Sequence, residues 1–421
     1  MRDRLGDELP AYLAALDGEP VKGLHINTLK CAAAEVDEAV GGLEKLAAAD
    51  NLRLVTSGRP AQHPYYAAGL YYMQEPSAML PVAALEIPDG ARVLDMCAAP
   101  GGKSSQLAIK LNGRGLLVAN ETERSRAAVL RENIVRLGYR NALVTNFRPD
   151  RVAAVFGGYF DVVVVDAPCS GEGMLRKEPQ AALDWSEANV RACAARQKEI
   201  IACADKCLKE GGTLLYSTCT FSAAEDEDVA RHILSLGYEV VNLPASVVSD
   251  GVTDGLGYRF YPHRVRGEGQ YFCLFRKTSA GEKEARAGKA YAAASKRALA
   301  EIAKVMDVGG LTVAEKDGML FVPAYGRELP CLADGVMLGR TERDGRFTPA
   351  HGLFTAFGDR CRVRVELELC DERIAEYLAG KEIAADADGW CAVCAGRHAL
   401  GGGKGSGGVI KNHYPKSLRV R

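Results

Sequence analysis

Two cysteines lie where apolar segments give way to polar turns. Cys169 stands in "VDAPCSGEG" (165–173), and Cys219 stands between two threonines in "LLYSTCTFS" (214–222). A thiol in such a position can pack as a small hydrophobe, ligate a metal or act as a nucleophile. Asp166 precedes Cys169 in the same turn, so a carboxyl group could exchange protons beside it. The elements around these residues must decide among the three uses.

A second polar turn has the features of a ligand-binding loop. The stretch "CAAPGGKSS" (97–105) precedes an amphipathic segment, and its Gly101 and Gly102 let the backbone approach a ligand at a helix N-terminus. A P-loop would need a glycine where position 97 has a cysteine, and no dinucleotide fingerprint G-x-G-x-x-G is present. Glu121 ends the next apolar segment, where α/β folds keep an acid for ribose hydroxyls. A ribose-bearing ligand without a phosphate cradle indicates S-adenosylmethionine.

The segment between residues 92 and 243 alternates strand and helix signals at the rhythm of an α/β domain. The predicted strands are 92–96, 115–121, 141–146, 160–166, 212–218, 237–241 and 269–277, and the predicted helices start at Lys103 and span 122–138 and 187–209. The helix at 122–138 is expected to bury one face formed by Ala128, Leu130, Ile134 and Leu137. We predict the α/β class, with a doubly wound, mostly parallel sheet.

Such a sheet would bring the polar turns together. Ligands of open α/β sheets bind at the carboxyl ends of the strands, near the point where the strand order reverses. Cys169 and Asp166 follow the fourth predicted strand, and Cys219 follows the fifth. We therefore expect these three side chains to lie on the same rim as the glycine turn.

The segments on either side of the central domain (86–277) differ from it in character. Residues 1–85 are mixed α+β, and their aromatic patch at 65–72 is expected to pack in the core rather than to stack on RNA bases. Residues 278–344 begin with an Ala-, Gly- and charge-rich stretch typical of a linker, followed by an intermediate domain. Residues 345–421 contain short strands and a glycine-rich hairpin, which indicate a small β-rich module.

The composition is that of a globular protein and restricts the partners only weakly. The 421 residues are 48% hydrophobic and 25% charged with a net charge of −1, and the chain contains neither a membrane-length apolar stretch nor a signal core. We therefore expect a cytoplasmic protein without a membrane partner. After Arg397 the chain has no acid, only the cations Lys404, Lys411, Lys416, Arg419 and Arg421. This basic end fits a nucleic-acid-binding surface and a solvated tail equally well.

The number and spacing of the cysteines argue against a disulfide framework and against a structural metal. Thirteen cysteines at irregular spacing do not form a disulfide framework. Cys391 and Cys394 make a lone C-x-x-C, and the remaining ligands for zinc would have to come from Cys361, Cys370 and His398. Strand alternation explains the pair better, so we expect no metal.

The polar turns closely resemble the motifs of a known enzyme family. "DMCAAPGGK" (95–103), "DAPCSGEGMLRKEP" (166–179) and "YSTCTFSAAEDE" (216–227) are similar to motifs of the RNA cytosine-C5 methyltransferases of the Sun/nucleolar-protein family. "LHINTLK", "YYMQEPSAMLP" and "KNHYPKSLR" resemble its bacterial 16S ribosomal RNA branch, which carries a C-terminal PUA-like domain. The resemblance implies a Rossmann-like methyltransferase domain flanked by RNA-binding domains at 1–85 and 345–421.

The resemblance also implies roles for individual residues. Cys219 would be the nucleophile, Cys169 would assist product release, and Asp166 would contact the N3/N4 edge of cytosine. The implied contacts to S-adenosylmethionine come from Ala98, Ala99, Pro100, Gly101, Gly102, Lys103, Glu121, Asn146 and Asp166. Asn146 stands where the family usually has an acid that holds the adenine.

These residue types suit the chemistry that the resemblance implies. Cytosine C5 is a poor nucleophile, but addition of a thiolate at C6 makes it an enamine carbon that can attack a methyl sulfonium. Protonation of N3 assists the addition, so a carboxyl group at the base edge is useful. Loss of the C5 proton then allows the thiolate to leave.

Other functions stay open at this point. A non-catalytic RNA-binding factor of ribosome assembly could keep the fold, although it would not need both thiols. A transfer RNA or DNA cytosine methyltransferase is a further alternative, and the DNA enzymes carry their nucleophile in a Pro-Cys pair such as Pro168–Cys169. The PUA-like end favours RNA. We expect a monomer whose partner is 16S ribosomal RNA or the small ribosomal subunit.

Overall fold

The computed structural model describes residues 2–177, 185–244, 251–253, 255–285 and 288–419. Within these residues the chain forms four sheets, which follow one another along the sequence apart from one short strand. No helix in the described ranges is both long and apolar enough to cross a membrane. Glu178 and Pro179 of the motif at 166–179, and Arg421 of the basic end, lie outside the described residues.

The N-terminal residues form an antiparallel sheet with short helices. Its strands are β1 (Gly23–Ile26), β2 (Leu43–Lys45), β3 (Leu52–Val55) and β4 (Tyr71–Met73), in the order β2-β3-β1-β4. The helices are α1 (Arg2–Leu5), α2 (Leu9–Leu16), α3 (Ala33–Val40), α4 (Pro64–Ala67) and α5 (Pro76–Ala83). Tyr65, Tyr71 and Tyr72 are buried, which confirms the aromatic patch as core.

The central sheet consists of the predicted α/β segment. Its strands are β5 (Arg92–Asp95), β6 (Leu116–Asn120), β7 (Ala142–Thr145), β8 (Phe160–Asp166), β9 (Leu208–Thr218), β10 (Tyr238–Val240), β11 (Tyr258–Phe260) and β12 (Gln270–Lys277). The helices are α6 (Gly102–Lys110), α7 (Arg124–Leu137), α8 (Pro149–Phe156), α9 (Glu187–Cys207) and α10 (Glu227–Ser235).

The strand order confirms the predicted fold class. Strands β9-β8-β5-β6-β7 are parallel neighbours, while β12 lies antiparallel to β9 and pairs with β10 and β11. The chain winds outward from β5 in one direction and from β8 in the other, so the order reverses between these two strands. The valines at 162–165 in β8 are buried, as expected of a strand covered on both faces. Each predicted strand has a counterpart, although β11 and α8 were not predicted.

One predicted core position in α7 is wrong. Ala128 is exposed, and Ala127 is buried in its place together with Leu130, Ile134 and Leu137. The spacing 127, 130, 134, 137 follows a single stripe of the helix, whereas 128 lies beside it.

The residues after the central sheet form a second antiparallel sheet. It has the order β13-β14-β15-β17-β18, with β13 (Ala292–Ala293), β14 (Ala314–Lys316), β15 (Met319–Val322), β17 (Val336–Thr341) and β18 (Phe347–Pro349), while β16 (Ala333–Asp334) pairs with β7 instead. Helices α11 (Lys296–Ala303) and α12 (His351–Phe357) pack against it. This sheet continues past residue 345, where the sequence indicated the start of the last domain. The division into four domains stays a prediction.

The C-terminal sheet has the order β19-β21-β22-β23-β20. Its elements are β19 (Arg364–Leu367), α13 (Arg373–Leu378), β20 (Ile383–Ala384), β21 (Gly389–Ala395), β22 (His398–Ser406) and β23 (Val409–Asn412). Cys391 and Cys394 belong to separate hydrophobic clusters on opposite faces of β21. No group of three or more His, Cys, Asp or Glu side chains among the described residues is arranged to hold a metal ion.

Candidate active site

Cys169 and Cys219 lie side by side at the carboxyl ends of β8 and β9. The two strands are parallel neighbours with Asp166 opposite Ser217, so the turns that follow them meet. The two sulfur atoms are 3.2 Å apart, within hydrogen-bonding range of each other. This hydrogen bond, together with burial, raises the pKa of the Cys169 thiol well above its ordinary value. Ionisation of the Cys169 thiol is therefore disfavoured.

The residues that follow the two cysteines are bonded to each other and to a buried acid. The hydroxyl oxygens of Ser170 and Thr220 are 2.9 Å apart. Glu225 accepts the backbone N–H of Ser170 at 2.9 Å through Oε1 and the Ser170 hydroxyl at 2.5 Å through Oε2. Because Ser170 has a single hydroxyl hydrogen, the bond between the hydroxyls takes its hydrogen from Thr220. We call this arrangement, Ser170–Thr220–Glu225, the cysteine clamp.

The cysteine clamp is itself held from the sheet and from α9. Gln197 donates through Nε2 to Glu225 Oε1 and to the carbonyl of Pro168, each at 3.0 Å. The Tyr216 hydroxyl donates to the Glu225 carbonyl at 2.6 Å. Glu225 and Gln197 are completely buried, which removes competition from water. The separation of the two sulfur atoms is thus determined by a closed network of hydrogen bonds.

Asp166 lies on the same rim with both carboxylate oxygens bonded. Oδ2 is 2.9 Å from the Lys103 ammonium, and Oδ1 accepts the Ser217 hydroxyl at 2.7 Å. Gln270, which begins β12, donates to Oδ1 at a longer 3.5 Å. The ion pair brings the glycine turn and the end of β8 together. Asp166 thereby links the cysteine side of the rim to the ligand-binding turn.

The glycine turn has a shape that larger residues could not take. Gly101 has φ +120°, a conformation that residues with a side chain rarely adopt. A Cβ on Gly102 would lie 2.9 Å from the Gln74 side chain. Helix α6 begins at Gly102, and its Ser104 hydroxyl donates to Asp95 Oδ2 at 2.6 Å. The turn thus presents backbone rather than side chains towards the space above β5.

Asp95, at the end of β5, is a buried acid with an open acceptor. Among the described residues no group makes a well-formed hydrogen bond to Asp95 Oδ1. Burial raises the pKa of Asp95 to about 7, against the opposing effect of the Ser104 hydrogen bond. The backbone N–H of Cys97 also opposes the increase in this pKa. Because a buried acceptor without a well-formed hydrogen bond is costly, Asp95 is suited to accept one from a ligand.

Glu121 follows β6, as predicted, and the Asn146 side chain is hydrogen-bonded to the backbone at Glu121. The Glu121 carboxylate accepts the backbone N–H of Glu123 at 2.9 Å, and Arg126 lies 3.5 Å from its other oxygen. Asn146 donates its amide hydrogens to the carbonyls of Glu121 and Thr122 at 2.6 and 2.8 Å. The Asn146 amide nitrogen is therefore used within the protein, which leaves its side-chain oxygen for a ligand.

These groups surround a cleft of about 650 Å³. The predicted site residues in its lining are Ala98, Ala99, Pro100, Gly102, Lys103, Asp166, Cys169 and Cys219, joined by Asp95 and Gln270. Gly101, Glu121 and Asn146 stand outside this lining as the described residues define it. The fold therefore brings both cysteines, the acid and most of the glycine turn to one opening.

Three family models match successive parts of the chain. The N-terminal domain of 16S rRNA methyltransferase RsmF matches residues 1–76, 16S rRNA methyltransferase RsmB/F matches 82–276, and the methyltransferase RsmF PUA domain matches 364–420. The Ribosomal RNA small subunit methyltransferase F of Vibrio cholerae serotype O1 (strain M66-2) is 32% identical over 455 residues, which cover 98% of this chain and 94% of the relative. The chain belongs to the 16S rRNA methyltransferase RsmB/F family. A relative with the same name from Klebsiella pneumoniae (strain 342) is 33% identical over 388 residues, covering 86% and 80% of the two chains.

Solved structures agree with the fold of this RsmB/F family member. A methyltransferase homologue from Pyrococcus horikoshii is 26% identical with a TM-score of 0.55, covering 65% of this chain and 91% of its own. The structure of NSun6 from Pyrococcus horikoshii with SFG has a TM-score of 0.59 at 19% identity and covers 66% and 96% of the two chains, a likeness of fold. The predicted resemblance and the PUA-like C-terminal domain are thus confirmed.

Several polar residues of the RsmB/F domain were missed from the sequence. Asn120 donates to the carbonyls of Met96 and Phe147, so it ties the ends of β5, β6 and β7 together. Its signal was a polar residue directly before Glu121 in an otherwise apolar strand. Glu225 appeared only within the motif at 216–227 and was given no role, because its partner Ser170 is distant in the sequence.

Proposed function

We propose that this RsmB/F family member transfers a methyl group from S-adenosylmethionine to C5 of a cytosine in RNA. The substrate is 16S ribosomal RNA, and the reaction passes through a bond between Cys219 and cytosine C6. The observation that carries the proposal is the 3.2 Å separation of the two thiols, on a rim that also holds Asp166 and the glycine turn. A purely RNA-binding factor has no use for this pair of thiols.

The residues present fit S-adenosylmethionine. Its sulfonium group supplies an electrophilic methyl when bound. The open oxygen of Asp95 suits a cationic donor such as the ammonium of the methionine part, and the side-chain-free turn at 98–102 leaves space for a ligand. The Glu121 carboxylate would hold the ribose hydroxyls and the Asn146 oxygen would accept from the adenine amine. Lys103 would complete the set near the methionine carboxylate.

Bond formation begins at Cys219. Its thiolate adds to C6, and the electrons of the C5–C6 bond then make C5 a nucleophile toward the methyl group. The Cys169 thiol can donate a hydrogen bond to the Cys219 sulfur across the 3.2 Å that separate them. Asp166 would accept from the N4 amino group of cytosine. The Lys103–Asp166 pair holds a proton that N3 can share as the ring accepts electrons.

Release reverses the addition. The C5 proton must pass to a base; the electrons of the C5–H bond then form the C5=C6 double bond, and the C6–S bond breaks to release the Cys219 thiolate. Cys169 lies beside Cys219, 3.2 Å away. Its own proton would pass to water in the open cleft, and the resulting thiolate, whose raised pKa makes it a strong proton acceptor, would take the C5 proton. We assign Cys169 to this step.

The flanking domains provide the contacts to RNA in this proposal. A base inside a helix must be extruded before C6 can be attacked, so the enzyme has to hold the surrounding backbone. Residues 1–85 and 345–421 are assigned to that task, and the protein acts as a monomer. The basic, acid-free end of the chain supports the assignment.

Mapping of 5-methylcytosine tests the proposal directly. Bisulfite sequencing of 16S ribosomal RNA from a deletion strain should lack a methylated cytosine that the parent strain has. Expression of the wild-type chain should restore the mark, and expression of Cys219→Ala should not. A deletion strain with an unchanged 5-methylcytosine map in ribosomal RNA would refute the proposed substrate. Recovery of the mark in transfer RNA or DNA alone would reassign it.

A further inference from the structure

The C-terminal sheet carries a row of large side chains on the face opposite Cys391 and Ile410. In the strand register Trp390 of β21 lies opposite Lys404 of β22, and Lys404 lies opposite Lys411 of β23. Cross-strand partners project to the same face of a sheet. The alternate residues, such as Cys391 and Ile410, are buried, so the row faces away from that core. Lys404 and Lys411 are both exposed.

The row includes an aromatic platform. The ring of Trp390 lies 4.6 Å from the ring of His413, measured between centroids, and the planes are tilted by 66°. The Lys404 ammonium lies 5.8 Å from the Trp390 ring centre. Trp390 is half-buried against the neighbouring domain, while His413 is exposed. The Trp390 indole is anchored on its buried side, and a flat ligand would take the place of Lys404 over the ring.

The positive charges of the row are not neutralised within the protein. Neither Lys404 nor Lys411 has an ion-pair partner among the described residues, and like charges directly opposite each other destabilise a sheet. Burial, and to a smaller extent the charges of Lys411 and Lys404, lower the pKa of His413. This arrangement costs stability in the free protein, so it favours an anionic partner.

The row opens into a groove of about 650 Å³ between the C-terminal sheet and the preceding domain. Its acidic residues are neutralised by ion pairs, whereas the exposed Arg343 has no ion-pair partner in the part of the chain that the structure describes. The pairs are Glu301 with Lys304, Glu342 with Arg340, and Asp344 with Arg346. The groove therefore continues the positive character of the row.

We propose that this surface, formed by Trp390, Lys404, Lys411, His413 and Arg343, binds unpaired nucleotides of the RNA substrate. A base would stack on the Trp390–His413 platform, and successive phosphates would contact the three cations. This inference rests on the proposed action on RNA. An aromatic platform among unpaired cations fits single-stranded RNA better than a protein, because it combines stacking with repeated anion contacts.

Fluorescence anisotropy with a labelled single-stranded oligoribonucleotide tests the surface on the full-length protein. Lys404→Gln with Lys411→Gln should weaken binding and lower the slope of log K against log salt by about 0.7 for each lost phosphate contact. Trp390→Ala should weaken binding roughly tenfold through lost stacking. Lys206→Gln with Lys283→Gln removes the same charge from exposed lysines outside residues 1–85 and 345–421 and should leave the slope close to that of the wild type.

The variants remain informative if Trp390→Ala does not fold, because the lysine substitutions are at exposed positions. An unchanged RNA affinity and salt slope in the double-lysine variant would overturn the inference, and so would equal losses in the control variant. Loss of binding to small ribosomal subunits with unchanged oligonucleotide affinity would assign the surface to a protein partner and overturn it as well. Failure of the proposed function is separable: the wild type would then bind the oligonucleotide but place no methyl group on RNA.

Discussion

The two halves of the cleft differ in how far their polar groups are bonded within the protein. On the cysteine half, Glu225 uses both carboxylate oxygens on Ser170 and Gln197, and the hydroxyls of Ser170 and Thr220 meet. On the glycine-turn half, the buried Asp95 Oδ1 has no well-formed hydrogen bond from any described residue. The hydrogen bonds of the cysteine half are complete in the free protein, whereas the glycine-turn half has a buried acceptor, Asp95 Oδ1, that lacks a well-formed hydrogen bond.

This difference follows from what each half has to do. A nucleophile and its partner must stand at fixed positions, and an error of about 1 Å can cost on the order of a hundredfold in rate. A network that is satisfied internally keeps such positions without a substrate. A binding site must instead keep unused donors and acceptors, because they are what the ligand satisfies.

The largest effect is expected from the cysteines themselves. Cys219→Ala removes the attacking thiolate, so methylation should fall by roughly 10⁴-fold or more, because no bond to C6 can form. Transfer of radiolabelled methyl groups from S-adenosylmethionine to 16S ribosomal RNA measures this. Cys193→Ala changes a buried cysteine on α9 and serves as the matched control with activity retained.

Cys169→Ala should fail in a different way. The addition to C6 remains possible, while proton removal and thiolate expulsion are impaired, so enzyme joined to RNA should accumulate. The adduct is visible as a denaturation-resistant band that ribonuclease removes, and the double variant should show none. An adduct that survives in Cys219→Ala and is lost in Cys169→Ala would exchange the two roles. Normal methylation in both variants would end the covalent mechanism.

Breaking the cysteine clamp should reduce kcat while the cofactor still binds. Glu225→Gln replaces one acceptor oxygen by a donor, so one of the two Ser170 hydrogen bonds is lost and the turn carrying Cys169 can shift. We expect a decrease in kcat of about a hundredfold, with little change in affinity for S-adenosylmethionine. Steady-state kinetics and calorimetry separate the two quantities.

Glu227→Gln is the matched control for this prediction. Glu227 is also buried and ion-paired, with Arg259 at 2.7 Å, but it has no contact with Ser170 or Thr220 in the described network. Equal losses of stability in both variants, with a lowered kcat only in Glu225→Gln, would assign Glu225 to positioning. A parallel fall of kcat in both would indicate general destabilisation instead.

The local pattern of the sequence was sufficient for every strand of the central α/β segment except β11, because the signal for each of the others lies within a few adjacent residues. The valine run of β8 and the glycines of the turn at 97–105 are properties of adjacent residues. The prediction that Ala128 is buried was wrong because the helical periodicity allows either Ala127 or Ala128 on the buried face of α7, and only packing against the sheet decides between the two. The course of the chain after residue 278 was harder, since β16 pairs with a strand nearly two hundred residues earlier.

The same distinction between adjacent and distant residues applies to the site. Cys169, Cys219, Asp166 and the glycine turn are marked by motifs, and the topology brings them to one rim. Glu225 and Asn120 act through partners that are distant in the sequence, so their acceptors could not be identified before the fold was known. Asn146 was chosen for a ligand, whereas its amide nitrogen proves to hold the backbone of Glu121.

On the open half, Glu121 should contribute to the affinity for S-adenosylmethionine and little to the chemical step. Glu121→Ala removes an acceptor for the ribose hydroxyls, and a hydrogen bond to a charged group contributes roughly 1.5–3 kcal/mol, or about ten- to a hundredfold in affinity. Isothermal calorimetry with S-adenosylmethionine measures the change. Glu123→Ala, an exposed acid two residues away, is the control. An unchanged dissociation constant in Glu121→Ala would remove the residue from the site.

The effect most specific to the open half is the pH dependence of Asp95. Burial raises its pKa to about 7, whereas an aspartate in the unfolded chain titrates near 4. Between these values the folded protein keeps a proton that the unfolded chain has lost, so this residue stabilises the fold at low pH and its contribution falls as the pH rises towards 7. The decrease for one proton is at most about 1.4 kcal/mol per pH unit.

Asp95→Asn should abolish this dependence. The urea midpoints of the variant and the wild type, measured from pH 4.5 to 8, should therefore move apart in favour of the variant as the pH rises, and the difference should level off above about 7. A ligand ammonium at Oδ1 favours the carboxylate, so wild-type affinity for S-adenosylmethionine should tighten over the same pH range, and that of the variant should tighten less. Ser104→Ala removes a hydrogen bond that stabilises the charged form and should shift both curves to higher pH. A constant difference between the two midpoints at all pH values would mean that Asp95 is ionised throughout, and the free oxygen would then need another explanation.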